Sequence, residues 1–148
     1  MWVDTKFGLE IGLEIPSVSA TIWFKKGVFI PNSLNPFVQI DSKKININCS
    51  DKFSIFEGSK GVLDNTYEIP VNTDIKSVIR DILATNTGDG YVMDSKDFIY
   101  SNYLNNRKTP LTITSNAGDN YGNILTQLAT ILSAEIFYNS VGNLVVIP

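Results

Sequence analysis

The chain has 148 residues, 43% of them hydrophobic and 18% charged, with a formal net charge of −3. This composition can support a buried core, and the absence of a basic stripe disfavours nucleic acid binding. A single cysteine excludes an internal disulfide, and the lack of histidine removes histidine-dependent catalytic pairs and zinc sites.

The N-terminus does not have the form of a signal peptide. Met1 to Ile15 alternates between apolar and other residues instead of forming one apolar block. No uninterrupted apolar run approaches the roughly 18 to 20 residues that span a bilayer. We therefore expect a soluble protein without stable membrane insertion.

Strand patterns fill the first fifty residues. From Phe7 to Ile15 every second residue is apolar, which predicts a half-buried strand that Pro16 ends. Gly8 and Gly12 on its other face allow bending, as in a barrel wall, or close approach of another chain. Further short strands are predicted at 18–24, 28–30, 37–40 and 45–49, with no helix among them.

Helical patterns begin after Asp51. Apolar residues spaced i, i+3, i+4, i+7 and i+8 from Ile75 predict a helix at about 74–85, with Thr73 as N-cap and Gly88 closing the segment. The same spacing predicts a second helix at about 120–133, with Asp119 or Asn120 as its cap.

The remaining elements are short. Strands are predicted at 91–93 and 111–113, and a C-terminal hairpin at 134–148 turns at Asn139, Gly142 and Asn143. Because the chain starts and ends on strands we expect part of a longer protein, although a naturally short protein would show the same pattern.

Together these patterns predict an α+β protein. Residues 1–50 would form a partial β-barrel-like lobe. Residues 51–148 would form an α/β lobe with two helices packed on a small mixed sheet.

Four segments, in chain order, resemble tail hub and baseplate proteins of phages, including contractile-tail hubs of the late control protein D type and prophage tail proteins. Residues 119–144 are similar to their "Leu-x-x-Leu-Ala helix, apolar strand, Asp/Asn-x-x-Gly-x-Leu" pattern. The segment 23–30 resembles their "Gly-x-Phe" strand, 48–53 the end of a barrel strand, and 67–83 the following helix.

The resemblance implies a β-barrel tube domain carrying an inserted α/β domain, assembled as a ring and often as a trimer. Residues 1–50 would supply part of the barrel, and the second barrel portion of the family is missing. It further implies a structural tail component that binds other tail proteins and copies of itself, without catalysis or cofactors. Its location would be the virion, or the bacterial cytoplasm before assembly.

Acidic residues give two candidate sites. Glu10 and Glu14 share a strand face but would lie about 13 Å apart, too far for a glycosidase pair, so we expect an exposed face. Asp89, Asp94 and Asp97 faintly suggest a calcium loop but lack EF-hand spacing, which favours a solvated acidic loop.

Three other features have plain structural interpretations. The segment 58–61 contains glycine, serine and lysine without the Walker arrangement and predicts a flexible turn. Cys49 alternates with Ile45 and Ile47, which predicts a buried, inert thiol. Trp2 and Trp23 are expected in a core or an interface.

A stretch rich in asparagine and tyrosine supports an alternative function. Tyr100, Asn102, Tyr103, Asn105, Asn106 and Arg107 could contact sugars, although a plain surface loop ending at Pro110 is expected. The alternative is therefore a carbohydrate-binding or adhesin module of a cell surface or tail tip. An enzyme acting through acids alone, such as a glycosidase, is the remaining rival. No catalytic, cofactor-binding or metal-ligating residue is predicted.

Overall fold

A computed structural model describes residues 6–31, 37–39, 44–86 and 92–148. It contains helices and several small sheets, which confirms the predicted α+β class. The chain divides into two units: unit 1 is Met1–Lys52 with Tyr138–Gly142, and unit 2 is Phe53–Phe137 with Asn143–Pro148. The described strands form open sheets, and the barrel-like character of residues 1–50 stays a prediction.

Unit 1 is built around a long antiparallel ribbon. Strands β1 (Phe7–Ile15) and β2 (Ala20–Pro31) pair along their length and are joined by a 3-10 turn at Pro16–Val18. A short strand, β5 (Cys49–Asp51), pairs with the far side of β2, so the sheet order is β1-β2-β5 and β1 is an edge strand. Strands β3 (Phe37–Gln39) and β4 (Lys44–Asn46) form a separate antiparallel pair.

The ribbon contains one β-bulge. Leu9 pairs with Gly27 while Glu10 pairs with Lys25, so Lys26 is the extra residue on β2. A bulge of this kind increases the local twist of a strand pair. The bulge therefore divides the ribbon into a base, which lies beside β5, and a tip, which carries the turn at Pro16–Val18.

Unit 2 combines helices with two small sheets. The helices are α1 (Ser54–Glu57), α2 (Ile75–Ala84) and α3 (Tyr121–Leu132). Strands β6 (Tyr67–Ile69) and β8 (Ile113–Ser115) pair antiparallel. The second sheet has the order β7-β10-β9, with β7 (Ile99–Tyr100) parallel to β10 (Leu144–Ile147) beside β9 (Glu135–Tyr138).

Helices α2 and α3 begin and end within one residue of their predicted bounds. The predicted cap Thr73 is wrong, because the Asp74 carboxylate accepts the backbone N–H of Ser77. Of the two caps predicted for α3, Asn120 is the one observed: its side chain accepts the backbone N–H of Asn123. Gly88 lies outside the described residues.

The core of unit 2 lies where the apolar stripes of α2 and α3 are buried. Every apolar residue predicted for the α2 stripe is buried. Buried with them are residues from α3, α1, the 3-10 turn at 102–104 and β10: Phe56, Leu104, Ile124, Leu125, Leu128, Leu132, Leu144 and Val146. Ala129, which also belongs to the α3 stripe, is half-buried. Among the described residues, no helix is long and apolar enough to cross a membrane.

Candidate assembly surface

The β1–β2 ribbon has one apolar face, formed by Leu9, Ile11 and Leu13 of β1 with Ile22 and Phe24 of β2. Ile11 pairs with Phe24 and Leu13 with Ile22, and directly paired residues point to the same side of a sheet. Because side chains alternate along a strand, the glycines and glutamates of β1 point to the opposite side. We call the five apolar residues the apolar face.

The apolar face is open to solvent. Its five side chains are between 45% and 56% exposed. The predicted strand is confirmed, but its predicted half-buried state is wrong. Alternation in the sequence identifies an apolar face and does not say which part of the protein, or which other protein, covers it.

The opposite face of the ribbon is held by an aromatic contact. A Cβ atom placed on Gly12 would lie 2.9 Å from Thr21 Cγ2 and 3.0 Å from a ring carbon of Trp23, so the indole lies across the glycine. Trp23 nevertheless remains 65% exposed. The predicted core position is therefore wrong for this residue, and the predicted interface position stays a prediction. Glu10 and Glu14 are exposed on this face, as expected. Trp2 lies outside the described residues.

A turn from the C-terminal hairpin completes the base of unit 1. The ammonium of Lys52 donates to the Gly142 carbonyl at 2.9 Å and lies 4.5 Å from the Tyr138 ring centroid. Gly142 has φ +78, and a Cβ there would lie 2.7 Å from Val28 Cγ2, so glycine is required at this close approach. The sequence predicted this turn but not its association with the first fifty residues.

Burial separates the two units. Every buried apolar side chain that the structure describes belongs to unit 2. In the described part of unit 1, the buried residues are Lys52 and Gly142. The apolar side chains that the structure describes in unit 1 are therefore numerous, and all of them are exposed or only partly buried.

Sequence reasoning missed the contribution of β2 to the apolar face. Ala20, Ile22 and Phe24 also alternate with polar or amphipathic residues, which is the same period-two signal as in β1. The register that places Ile22 and Phe24 beside β1 depends on the turn at 16–18 and on the bulge, and neither can be read from the alternation alone.

The structure describes two of the three acidic candidates, Asp94 and Asp97. Asp94 is buried and accepts the Lys96 N–H, so a solvated loop is wrong for this residue. Asp97 is exposed and receives two hydrogen bonds from Arg80, which lower the pKa of its carboxyl group. Asp89 lies outside the described residues, and the described part of the chain holds no cluster of three metal-ligating side chains.

Two small features differ from expectation. Cys49 is exposed, so the prediction of a buried thiol is wrong. It lies on the three-residue edge strand β5 of unit 1, where no apolar side chain that the structure describes is buried. The segment 58–61 contains a 3-10 turn at Ser59–Gly61. The predicted turn is confirmed, and Gly61 lies so close to the Phe56 carbonyl that a side chain would not fit there.

The asparagine- and tyrosine-rich stretch contacts its own unit. The Tyr103 hydroxyl donates to the Leu132 carbonyl at 2.8 Å, and the Arg107 guanidinium lies 4.4 Å from the Tyr103 ring centroid. Lys76 donates to Asn105 and lies over the ring of Tyr100, which belongs to β7. These contacts occupy groups that a sugar would need, so the carbohydrate-binding alternative gains no specific support.

No protein-family model, no curated protein and no solved structure matches this chain. The resemblance to phage tail proteins therefore rests on the order of the four segments in the sequence. The apolar face of the ribbon groups five exposed large apolar side chains on one surface.

Proposed function

We propose that this chain is a structural subunit that acts by protein–protein assembly, without catalysis, in the hub or baseplate of a phage or prophage tail. The observation that carries the assembly part is the exposed apolar face of the β1–β2 ribbon. Contiguous apolar patches on soluble proteins mark interaction sites.

The energetics favour covering this face. Full burial of one large aliphatic or aromatic side chain is worth about 1.5–3 kcal/mol. Five such side chains lie together on the ribbon. Burial of even part of this surface against another protein would offset much of the entropy lost on association.

The two units suit different tasks. Unit 2 has a buried core made of its own helices and strands, so it supplies a stable body. Unit 1 presents strands whose apolar side chains need a cover. The proposed partners are further copies of the chain, a trimer being the ring that the family resemblance implies, and other tail proteins.

Light scattering after size exclusion tests the assembly. We expect a mass above the 16.4 kDa of one chain. Leu13→Ser should shift the equilibrium toward the single chain, while Leu111→Ser should not, because Leu111 is equally exposed (55% against 56%) but lies in unit 2. A mass of one chain at every concentration would contradict the proposal.

The placement in a tail needs its own test. Tail particles purified after prophage induction in the host strain should contain the chain when analysed by mass spectrometry. Its presence in the free protein fraction alone would contradict the tail assignment while leaving assembly intact. The proposed locations, virion and bacterial cytoplasm before assembly, are distinguished by the same fractionation.

A further inference from the structure

Among the strands that the structure describes, β1 has a neighbour on one side only, which leaves its outer edge for strand pairing. The sheet order places β1 at the edge, and residues from Gly8 to Glu14 are all exposed. In an edge strand, alternate residues direct their N–H and C=O groups away from the sheet, which provides a template for another strand.

The sequence of this edge is a tandem repeat. Gly-Leu-Glu-Ile occurs at 8–11 and again at 12–15. Along a strand, a four-residue repeat places alternating glycine and glutamate on one face and alternating leucine and isoleucine on the other. Both halves of β1 therefore present the same two surfaces.

We propose that β1 pairs antiparallel with β1 of a second copy, about a two-fold axis at Ile11. This inference rests on the assembly part of the proposed function. Because a two-fold contact joins two copies, it specifies a dimer in place of the three-fold ring that the family resemblance implies. The pairing would join two β1-β2-β5 sheets into one continuous sheet, an isologous contact in which each copy contributes the same strand.

The charges of the repeat select this register. With the axis at Ile11 all nine residues of β1 are paired, Glu10 opposes Gly12, and Glu14 opposes Gly8. Moving the axis by one residue, to Glu10 or Gly12, places glutamate opposite glutamate, and like charges directly opposite destabilise a strand pair. The longest overlap is thus also a register without acidic repulsion.

The same register extends the apolar face. Ile11 opposes its own counterpart, and Leu9 opposes Leu13 of the second copy. An intermediate, half-residue shift of the axis would instead set the apolar side of one strand beside the polar side of the other. Only the in-phase pairing yields a single apolar surface across both copies, flanked on each side by Ile22 and Phe24.

Cysteine cross-linking tests the axis. In a Cys49→Ser background, Ile11→Cys should form a disulfide-linked dimer, because Cα atoms of directly opposite residues lie about 4.5–5.5 Å apart, within the range a disulfide spans. Leu13→Cys in the same background is the matched control. Its two copies would lie about 13 Å apart and should not cross-link alone. A mixture of Leu9→Cys and Leu13→Cys chains should cross-link.

The outcomes separate this pairing from the proposed function. An oligomer by light scattering with no Ile11→Cys cross-link, or with cross-linking by Leu13→Cys alone, overturns the pairing and leaves assembly in place. A single-chain mass at every concentration overturns both. Cross-linking at position 11 but not at 13 supports the axis.

A charge exchange gives an independent readout. A Cβ on Gly8 meets nothing within 4 Å, so Gly8→Glu fits the fold. Facing Glu14 of the second copy, it should weaken dimerisation about tenfold, since the repulsion occurs twice around the axis. Adding Glu14→Lys should restore the association constant to within about threefold of the wild type. Failure of the second change to restore it contradicts the register.

Discussion

Unit 1 and unit 2 carry equally clear apolar periodicities, yet only unit 2 buries them. The stripes of α2 and α3 are almost fully removed from water, whereas the apolar face of the β1–β2 ribbon is about half exposed. The period of a pattern reports the geometry of an element and the side on which its apolar residues lie. Whether that side is covered depends on what packs against it.

The difference has a physical origin in the number of layers. An amphipathic helix buries its stripe as soon as a second helix or a sheet packs on it, and unit 2 contains both. A ribbon is a single layer, and strands gain stability mainly when a second layer covers one face. In the described part of unit 1, no second layer buries the apolar face.

The largest expected contrast is between two leucines. Leu128→Ala in the core of unit 2 should lower the free energy of unfolding by about 2–5 kcal/mol, because it leaves a cavity. Leu13→Ala on the ribbon should change it by about 0.5 kcal/mol or less when measured on single chains. Urea unfolding measures both: far-UV circular dichroism follows unit 2, which holds the described α-helices, and tryptophan fluorescence follows unit 1, whose residue range includes both tryptophans of the sequence. Equal losses of unfolding free energy in the two variants would contradict the contrast between a buried core in unit 2 and an exposed ribbon in unit 1.

The buried Thr109 hydroxyl makes two hydrogen bonds that should stabilise unit 2. The Thr109 hydroxyl donates to the Pro70 carbonyl at 2.7 Å and accepts the Thr73 N–H at 3.0 Å. Thr109→Val should cost about 1–2 kcal/mol of unfolding free energy, because the Thr73 N–H loses its acceptor. Thr114→Val, at an exposed site on β8, is the control and should be near neutral. A neutral Thr109→Val would show that water replaces the hydroxyl.

Helix capping should have a smaller effect. Asn120→Ala removes the acceptor of the Asn123 N–H at the start of α3 and should cost about 1 kcal/mol. Asn120→Asp restores an acceptor and should recover most of this loss. Thermal unfolding by circular dichroism compares the three proteins. No difference between the alanine and aspartate variants would contradict the capping role.

The smallest effect is expected at a surface ion pair. Hydrogen bonds from Arg80 lower the pKa of the Asp97 carboxyl below its ordinary 3.8. Because the folded pKa is the lower one, the stabilisation is present above the unfolded pKa and is lost as pH falls through the folded value. Asp97→Asn should therefore destabilise slightly at pH 7 and not at pH 2. A pair this exposed contributes little, so the effect should be smaller than that of Asn120→Ala.

Local patterns were sufficient to predict the two longer helices of unit 2, α2 and α3. The spacing from Ile75 to Leu83 and the cap at Asn120 are properties of consecutive residues, and both are observed. The short helix α1 was not predicted, because four residues carry no measurable periodicity. The cap of α2 was misplaced by one residue, which is the usual uncertainty at a helix end.

Long-range features could not be predicted in the same way. Cys49 alternates with apolar neighbours, as a buried residue would, but it lies on a short edge strand and is exposed. The bulge at Lys26 and the position of the Trp23 ring over Gly12 depend on pairing between strands. The candidate surface was therefore visible in the sequence as an alternation, while its exposure was not.

The Lys52–Gly142 hydrogen bond bears on how the protein can be dissected. A truncated chain ending at residue 52 would retain the ribbon but lose the carbonyl that holds this ammonium and the glycine that fits against Val28. Domain excision should accordingly join residue 52 to residue 138 through a short linker in place of unit 2. The discontinuous lobe, expressed as one spliced polypeptide, is the minimal fragment in which the strand edges can be studied apart from the helices.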